Sequence, residues 1–427
     1  MIWRSPVGVT LIGGVLVVSV LALLGQSNVW VSPDTASYVA STSLADMRLP
    51  VYGWLASPWL VGPTLPVLQI LAYLAASCWL VAALRGLGVS WAAGVAVGLA
   101  LMCSNLVLLW ARAALPELPG HAAILVALAL VVELAAGRQR GWRIVACGCA
   151  VTLAWALRPS LLPFIVLLPI LLAFLPRRVP MHATIVLLAL ACALPAIGLA
   201  ALRYERLGDA NVVSFGGFQM AGMAALMLTP ELAERLPEPE RAEAQAVIVQ
   251  RNRLVAEGRM ADLPRNSAGE RSFTSVAVLY FDILARMHDT LLYEGVGSLR
   301  ADQESWVSFN ARMQKLALTT LRAAPVSYAA WLVGALSRLV GHAIVLNGAF
   351  VVASGLLALA VLVRPKPLAA AAAMDVPVLL VLSAIWLAGT ATLIVFTTFP
   401  AERYIDSAGL LLPIWPIYAM LRMWRHP

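Results

Sequence analysis

Charge is what this sequence has least of. Only 12% of its 427 residues are Asp, Glu, Lys or Arg, against 61% hydrophobic residues, and mean hydropathy is +0.85. That balance excludes an ordinary soluble domain. Nucleotide-binding signatures are missing too. There is no Walker A motif, no Gly-rich dinucleotide loop and no Gly-x-Ser-x-Gly, so nucleotide-driven transport and serine-hydrolase chemistry have no footing. The five cysteines, Cys78, Cys103, Cys147, Cys149 and Cys192, lie inside apolar runs. Their odd number and setting exclude a disulfide framework, and Cys147 and Cys149 lack companion metal ligands. His121, His288 and His342 stand without ligand spacing and read as structural or exposed residues, so no metal is expected. No tandem repeat, low-complexity linker or half-to-half inverted repeat is evident.

What is present is a series of apolar stretches of about 20 residues, the length that crosses a hydrocarbon core of about 30 Å. They are continuously apolar rather than alternating, which predicts helices and not barrel strands. The fold class expected is therefore all-α, a polytopic transmembrane bundle of about ten helices. The expected spans are Val7–Leu24, Pro63–Leu84, Val89–Trp110, Pro119–Ala136, Trp142–Leu157, Leu161–Leu175, Met181–Leu202, His342–Val363, Asp375–Phe396 and Ile405–Leu421. The first reads as an uncleaved helix, because no clear small-x-small site follows it. Val326–Val363 is long enough for two spans, but Arg338 and His342 in its middle favour one.

Net charge is +8, which in a soluble chain would suggest nucleic acid. In a membrane protein the basic residues are first sorted by side. With the N-terminus inside, the inner connections carry Arg4, Arg85, Arg138, Arg140, Arg143, Arg177, Arg178, Arg364, Lys366, Arg422 and Arg425, and the short outer ones only Arg48, Arg112, Arg158 and Arg403. That bias predicts both termini in the cytoplasm and no nucleic-acid partner. Three regions follow: a membrane module at 1–202 whose first outer loop carries Asp34, a mostly helical outer segment at 203–341, and a second membrane module at 342–427. In the first loop, Thr35–Met47 reads as a short interfacial helix started by Asp34; Met313–Val340 reads as another on or entering the outer surface.

Charges near a membrane core are costly, so each needs a reason. Asp34, Asp46, Arg48, Arg112, Glu117, Arg158, Glu402, Arg403 and Asp406 come from distant positions, yet the topology sends them to one face. Arginine offers a planar fork to phosphate oxygens, and a carboxylate can take a proton from an attacking hydroxyl. Each residue also has a plain reading: Asp34 as a helix N-cap, Glu117 as an acid at a helix N-terminus, Arg158 as a snorkelling side chain, and Glu402–Arg403 as a local ion pair beside an aromatic anchor.

The segment Asp34-Thr35-Ala36-Ser37-Tyr38 follows the first span, and Glu117 lies between the third and fourth. Arg158-Pro159 ends an outer helix, and Glu402-Arg403-Tyr404 precedes a last helix with prolines. In that order these residues resemble the C-type glycosyltransferase superfamily, in particular bacterial membrane enzymes akin to protein O-mannosyltransferases and lipid A aminoarabinose transferases. The resemblance covers the first 200 residues and about the last 60. It implies an inverting transfer of a sugar from a polyprenyl-phosphate donor to a lipid, glycan or protein acceptor, at the outer face of a bacterial inner membrane and without a cofactor. Asp34 then matches the acceptor base and Glu117 the second acid. Arg158 and Arg403 match donor-phosphate ligands, with Tyr38, Arg112, Glu402 and Tyr404 in support. No Asp-x-Asp or Asp-Glu pair stands at position 34, and the segment 203–341 carries no motif of the family. Two alternatives remain: an O-antigen ligase or polymerase using a polyprenyl-diphosphate glycan, and a non-enzymatic lipid or polysaccharide flippase. The second calls for polar residues at mid-membrane, where only Gln69, Asn105 and Asn347 are found.

Overall fold

The computed structural model describes residues 5–23, 29–32, 34–60, 62–138, 141–176, 181–262, 273, 274, 277, 281–363 and 373–424. Arg4, Arg140, Arg177, Arg178, Arg364, Lys366 and Arg425, part of the expected charge bias, lie outside these residues, as does Pro33. Among the described residues the protein is all-helical, and its sole β-type pairing is an isolated bridge between Trp30 and Ala113. Seven helical stretches are long and apolar enough to cross a membrane: Thr64–Leu87, Trp91–Trp110, Glu117–Ala135, His182–Leu207, Pro325–Val345, Asp375–Thr397 and Glu402–Trp424. Shorter apolar helices add to them, including α1 (Pro6–Leu23) and Gly141–Leu157.

Helix Glu117–Ala135 is the axis of the bundle. Its most apolar window is 89% buried, whereas that of His182–Leu207 is only 11% buried. A helix apolar all round is either a central core helix or one facing lipid, and these two are one of each. Small residues let helices close on one another: Gly98 takes the hydroxyl of Thr10, and Gly94 takes Pro6, the close approach on which packing in lipid relies. The contact of Pro6 with Gly94 puts the start of α1 beside Arg85 and Trp91. By chain direction that end also holds Ala135, Gly141, Asp375 and Trp424. There Asp375 accepts from the Ser90 amide (2.7 Å) and the Tyr418 hydroxyl (2.8 Å).

Several helices differ from expectation. The stretch 91–110 breaks into Trp91–Met102 and Asn105–Trp110, with the Ser104 side chain capping the second piece. Asn105 fills the break by donating to the Leu346 carbonyl (2.7 Å) and to Asp406 (2.8 Å). Val326–Val363 is not one helix but two, Pro325–Val345 and Gly348–Val363. They part where Asn347 donates to the Gly409 carbonyl at 2.7 Å; free backbone groups at this depth need such partners. The expected helix Met313–Val340 is divided at Ala324–Pro325, where proline removes a donor and starts a new helix. The expected helix Thr35–Met47 runs only over Thr35–Val39 before the chain turns, with Asp46 capping the turn from the Thr42 and Ser43 amides, both at 2.7 Å.

The segment after His182–Leu207 folds around a core of its own, with Phe218, Met223, Phe309 and Trp331 buried. Gly216–Met227, apolar but short, is buried inside it against Trp306–Ala323. Fully buried Arg203 ties this unit to the first loop, donating to the Leu44 carbonyl, Asp209 (2.9 Å) and Ser214 (2.6 Å).

Candidate functional site

Two loops are fastened together before any charge is placed. The Trp30 amide donates to the Arg112 carbonyl and the Ala114 amide to the Trp30 carbonyl, both at 2.9 Å. The Thr35 hydroxyl donates to the Ala114 carbonyl (3.0 Å), and the Gln69 amide reaches the Ala111 and Ala113 carbonyls (3.1 and 3.2 Å). Backbone groups at the edge of a membrane core must be paired. Here the pairing binds the segment bearing Asp34 to the one that leads into Glu117. Gly53 lets helix Val51–Ala56 press on the turn after Tyr38, where a Cβ would come within 2.8 Å of the Tyr38 carbonyl oxygen.

On this frame four charges meet. Asp34 holds the N-cap position of Thr35–Val39 but makes no cap hydrogen bond; its carboxylate instead accepts from Arg403 Nη1. The cap reading of Asp34 therefore gives way to an ion pair spanning most of the chain. Arg403 Nε is 3.6 Å from Glu117 Oε1, and Arg158 Nη1 is 3.7 Å from the same oxygen. Both arginines lie over the Tyr404 ring, at 4.9 Å for Arg158 and 5.1 Å for Arg403. Arg158 is further held by Ser160 (3.0 Å). Glu117 is 1% exposed and Arg158 4%, so they form the floor, while the side chains of Asp34 and Arg403 open to solvent at 29% and 17%.

The floor is not saturated. Among the described residues Glu117 Oε2 is buried without a hydrogen-bond partner, and the contacts to its other oxygen exceed hydrogen-bond length. Behind it, buried His121 contacts the Glu117 carbonyl through Nδ1 (2.6 Å) and lies against Trp386, ring centres 5.6 Å apart. Around the site, burial raises the pKa of the Tyr38 hydroxyl, with Arg48 the largest opposing charge, and burial likewise raises that of Tyr52. Tyr293 is pushed up to about 12, first by burial and then by Asp34. All three hydroxyls stay protonated, and so able to donate, at neutral pH.

Of the residues singled out in sequence, Asp34, Glu117, Arg158, Arg403 and Tyr404 are in contact, and Tyr38 is close enough to feel Glu117 and Arg403. Arg112 contributes its backbone carbonyl to the loop pairing. Glu402 is exposed, its charge acts on Arg338, His342 and Asp406, and among the described residues no ion pair joins it to the four-residue cluster. Asp406 accepts from Asn105 and Trp110, both at 2.8 Å. The sequence offered no signal for Tyr52 or Tyr293; the latter lies in the segment without a motif. Among the described residues no three His, Cys, Asp or Glu side chains converge as metal ligands would.

An apolar groove of about 1210 Å³ is lined by Leu108, Gly348, Val352, Leu356, Ile417 and Trp424 among others. Gly348 approaches Asn105, the partner of Asp406. Asp406 lies three residues beyond Arg403 on helix Glu402–Ala408.

These features define a polytopic helical membrane protein with a charged cluster at one end of its bundle. No protein-family model matches the chain, and neither characterised proteins nor solved structures include a match to it.

Proposed function

We propose that this protein is a membrane glycosyltransferase that moves a sugar from a polyprenyl-phosphate carrier to an acceptor hydroxyl at the outer face, with inversion. The observation that carries the reading is the meeting of Asp34, Glu117, Arg158 and Arg403, drawn from four distant segments, in one partly open cluster. Two acids and two arginines are what the reaction requires. The acceptor O–H gives its proton to Asp34 as its oxygen bonds to the anomeric carbon. The bond from that carbon to the phosphate oxygen breaks, and the departing phosphate takes up guanidinium donors that Glu117 holds only loosely. The apolar groove lined by Gly348, Val352, Leu356 and Ile417 suits the hydrocarbon chain of such a carrier, whose head would stay at the interface.

Asp34→Asn tests the assignment. Asparagine can still accept a hydrogen bond from Arg403 but cannot take a proton. Transfer should fall by about two to four orders of magnitude with expression and donor binding retained. Turnover at the unmutated rate would remove Asp34 as the base.

The outer location is tested separately. In a background without native cysteines, Ser43→Cys and Glu257→Cys should react with an impermeant thiol reagent applied to intact cells, and Arg140→Cys and Arg178→Cys should not. The reverse pattern would place the cluster in the cytoplasm and exclude an outer-face donor.

A further inference from the structure

Arg48 differs in kind from the two arginines of the cluster. Arg158 and Arg403 face carboxylates. Arg48 is only 9% exposed, yet among the described residues none of its nitrogens makes a hydrogen bond or ion pair, and its Nε is buried without a partner. Two aromatic faces hold it: the guanidinium carbon lies 4.4 Å from the Tyr38 ring centre and 4.1 Å from that of Phe215. Aromatic faces attract a cation without using its N–H donors, so five donors in a rigid fork are left over. A charge this far from water is costly unless a partner meets it. The position is also telling. Tyr38 belongs to the first loop and Phe215 to the segment after Leu207, so Arg48 marks the seam between the two units. Its charge acts on both Tyr38 and Tyr293, and Asp34 acts on Tyr293 as well.

Within the cluster Asp34 and Glu117 face Arg158 and Arg403, whereas among the described residues no carboxylate pairs with Arg48. We infer that Arg48, framed by Tyr38 and Phe215, is an anion subsite that takes a phosphate group through its unused guanidinium fork. The inference takes the cluster as the reaction centre, as proposed above. The phosphate is either that of a membrane-anchored lipid or a water-borne one; the recognition chemistry is shared.

The test is protection of Arg48 from an arginine-selective dicarbonyl, phenylglyoxal, read by mass spectrometry on the full chain in nanodiscs. One arm adds inorganic phosphate; the other uses nanodiscs containing farnesyl phosphate. Modification of Arg48 should slow at least fivefold with a saturating probe, while exposed Arg322 serves as an unaffected control. Protection by farnesyl phosphate alone assigns the subsite to a lipid headgroup, and protection by inorganic phosphate to a water-borne anion. Equal modification with and without both probes, or no modification of Arg48 under any condition, overturns the inference. The same measurement on Asp34→Asn separates the two proposals, because protection there needs binding and not turnover.

Discussion

Helix Glu117–Ala135 carries a buried glutamate near each end, and the two are treated in opposite ways. Glu133, 7% exposed, accepts from Trp79 (3.2 Å), Arg138 (3.3 Å) and Arg143 (2.6 Å), so both of its oxygens are used. Glu117, about 24 Å away by helical rise, has two guanidinium neighbours beyond hydrogen-bond length and one oxygen with no partner among the described residues. A buried carboxylate is normally satisfied by its surroundings. Glu133 follows the rule and staples three helical segments. Glu117 departs from it where Asp34, Arg158 and Arg403 converge. Burial alone does not distinguish these two acids; incomplete pairing beside an opening does.

Exchanging each glutamate for its amide should separate the two ends most widely. Glu117→Gln removes the charge shared by Arg158 and Arg403 and should lower transfer by about a hundredfold. Glu133→Gln should leave the rate within about threefold but lower stability by about 1–3 kcal/mol, because it weakens hydrogen bonds to a charged group. Initial rates and thermal unfolding of both variants check this; equal loss of activity would erase the distinction.

A smaller effect is expected of the arginines. Arg158→Lys and Arg403→Lys keep the charge and lose the fork, so donor KM should rise by about tenfold in each. Arg143→Lys at the opposite end should leave donor KM unchanged. A steady-state series in donor concentration reads the difference.

The smallest effect concerns the frame and not the charges. Gly53→Ala forces a Cβ into the Tyr38 carbonyl and should cost about 1–3 kcal/mol of stability. Gly141→Ala, at the other end of the bundle, meets nothing within 4 Å and should be neutral or slightly stabilising, since alanine favours the helix. Melting temperatures of the pair decide it.

The amino-acid sequence by itself determined the class of the protein and the neighbourhood of its cluster. A continuous apolar run of about 20 residues admits few structures in lipid, and charges excluded from a hydrocarbon core collect at its edges. Asp34, Glu117, Arg158 and Arg403 could therefore be grouped before any contact was known. Tertiary structure alone decided the rest. Hydropathy does not distinguish Glu117–Ala135, buried at the axis, from His182–Leu207, turned outward, because lipid and protein interior are equally apolar. The breaks at Ser104 and Asn347 depend on partners far away in the chain. Asp34 gave up its cap for Arg403 because a long-range cation is a stronger partner than a local amide. Arg48 looked like any outer arginine in sequence. Only the fold set it between two aromatic rings without an acid, since whether a buried charge is matched depends on which side chains the whole chain brings beside it.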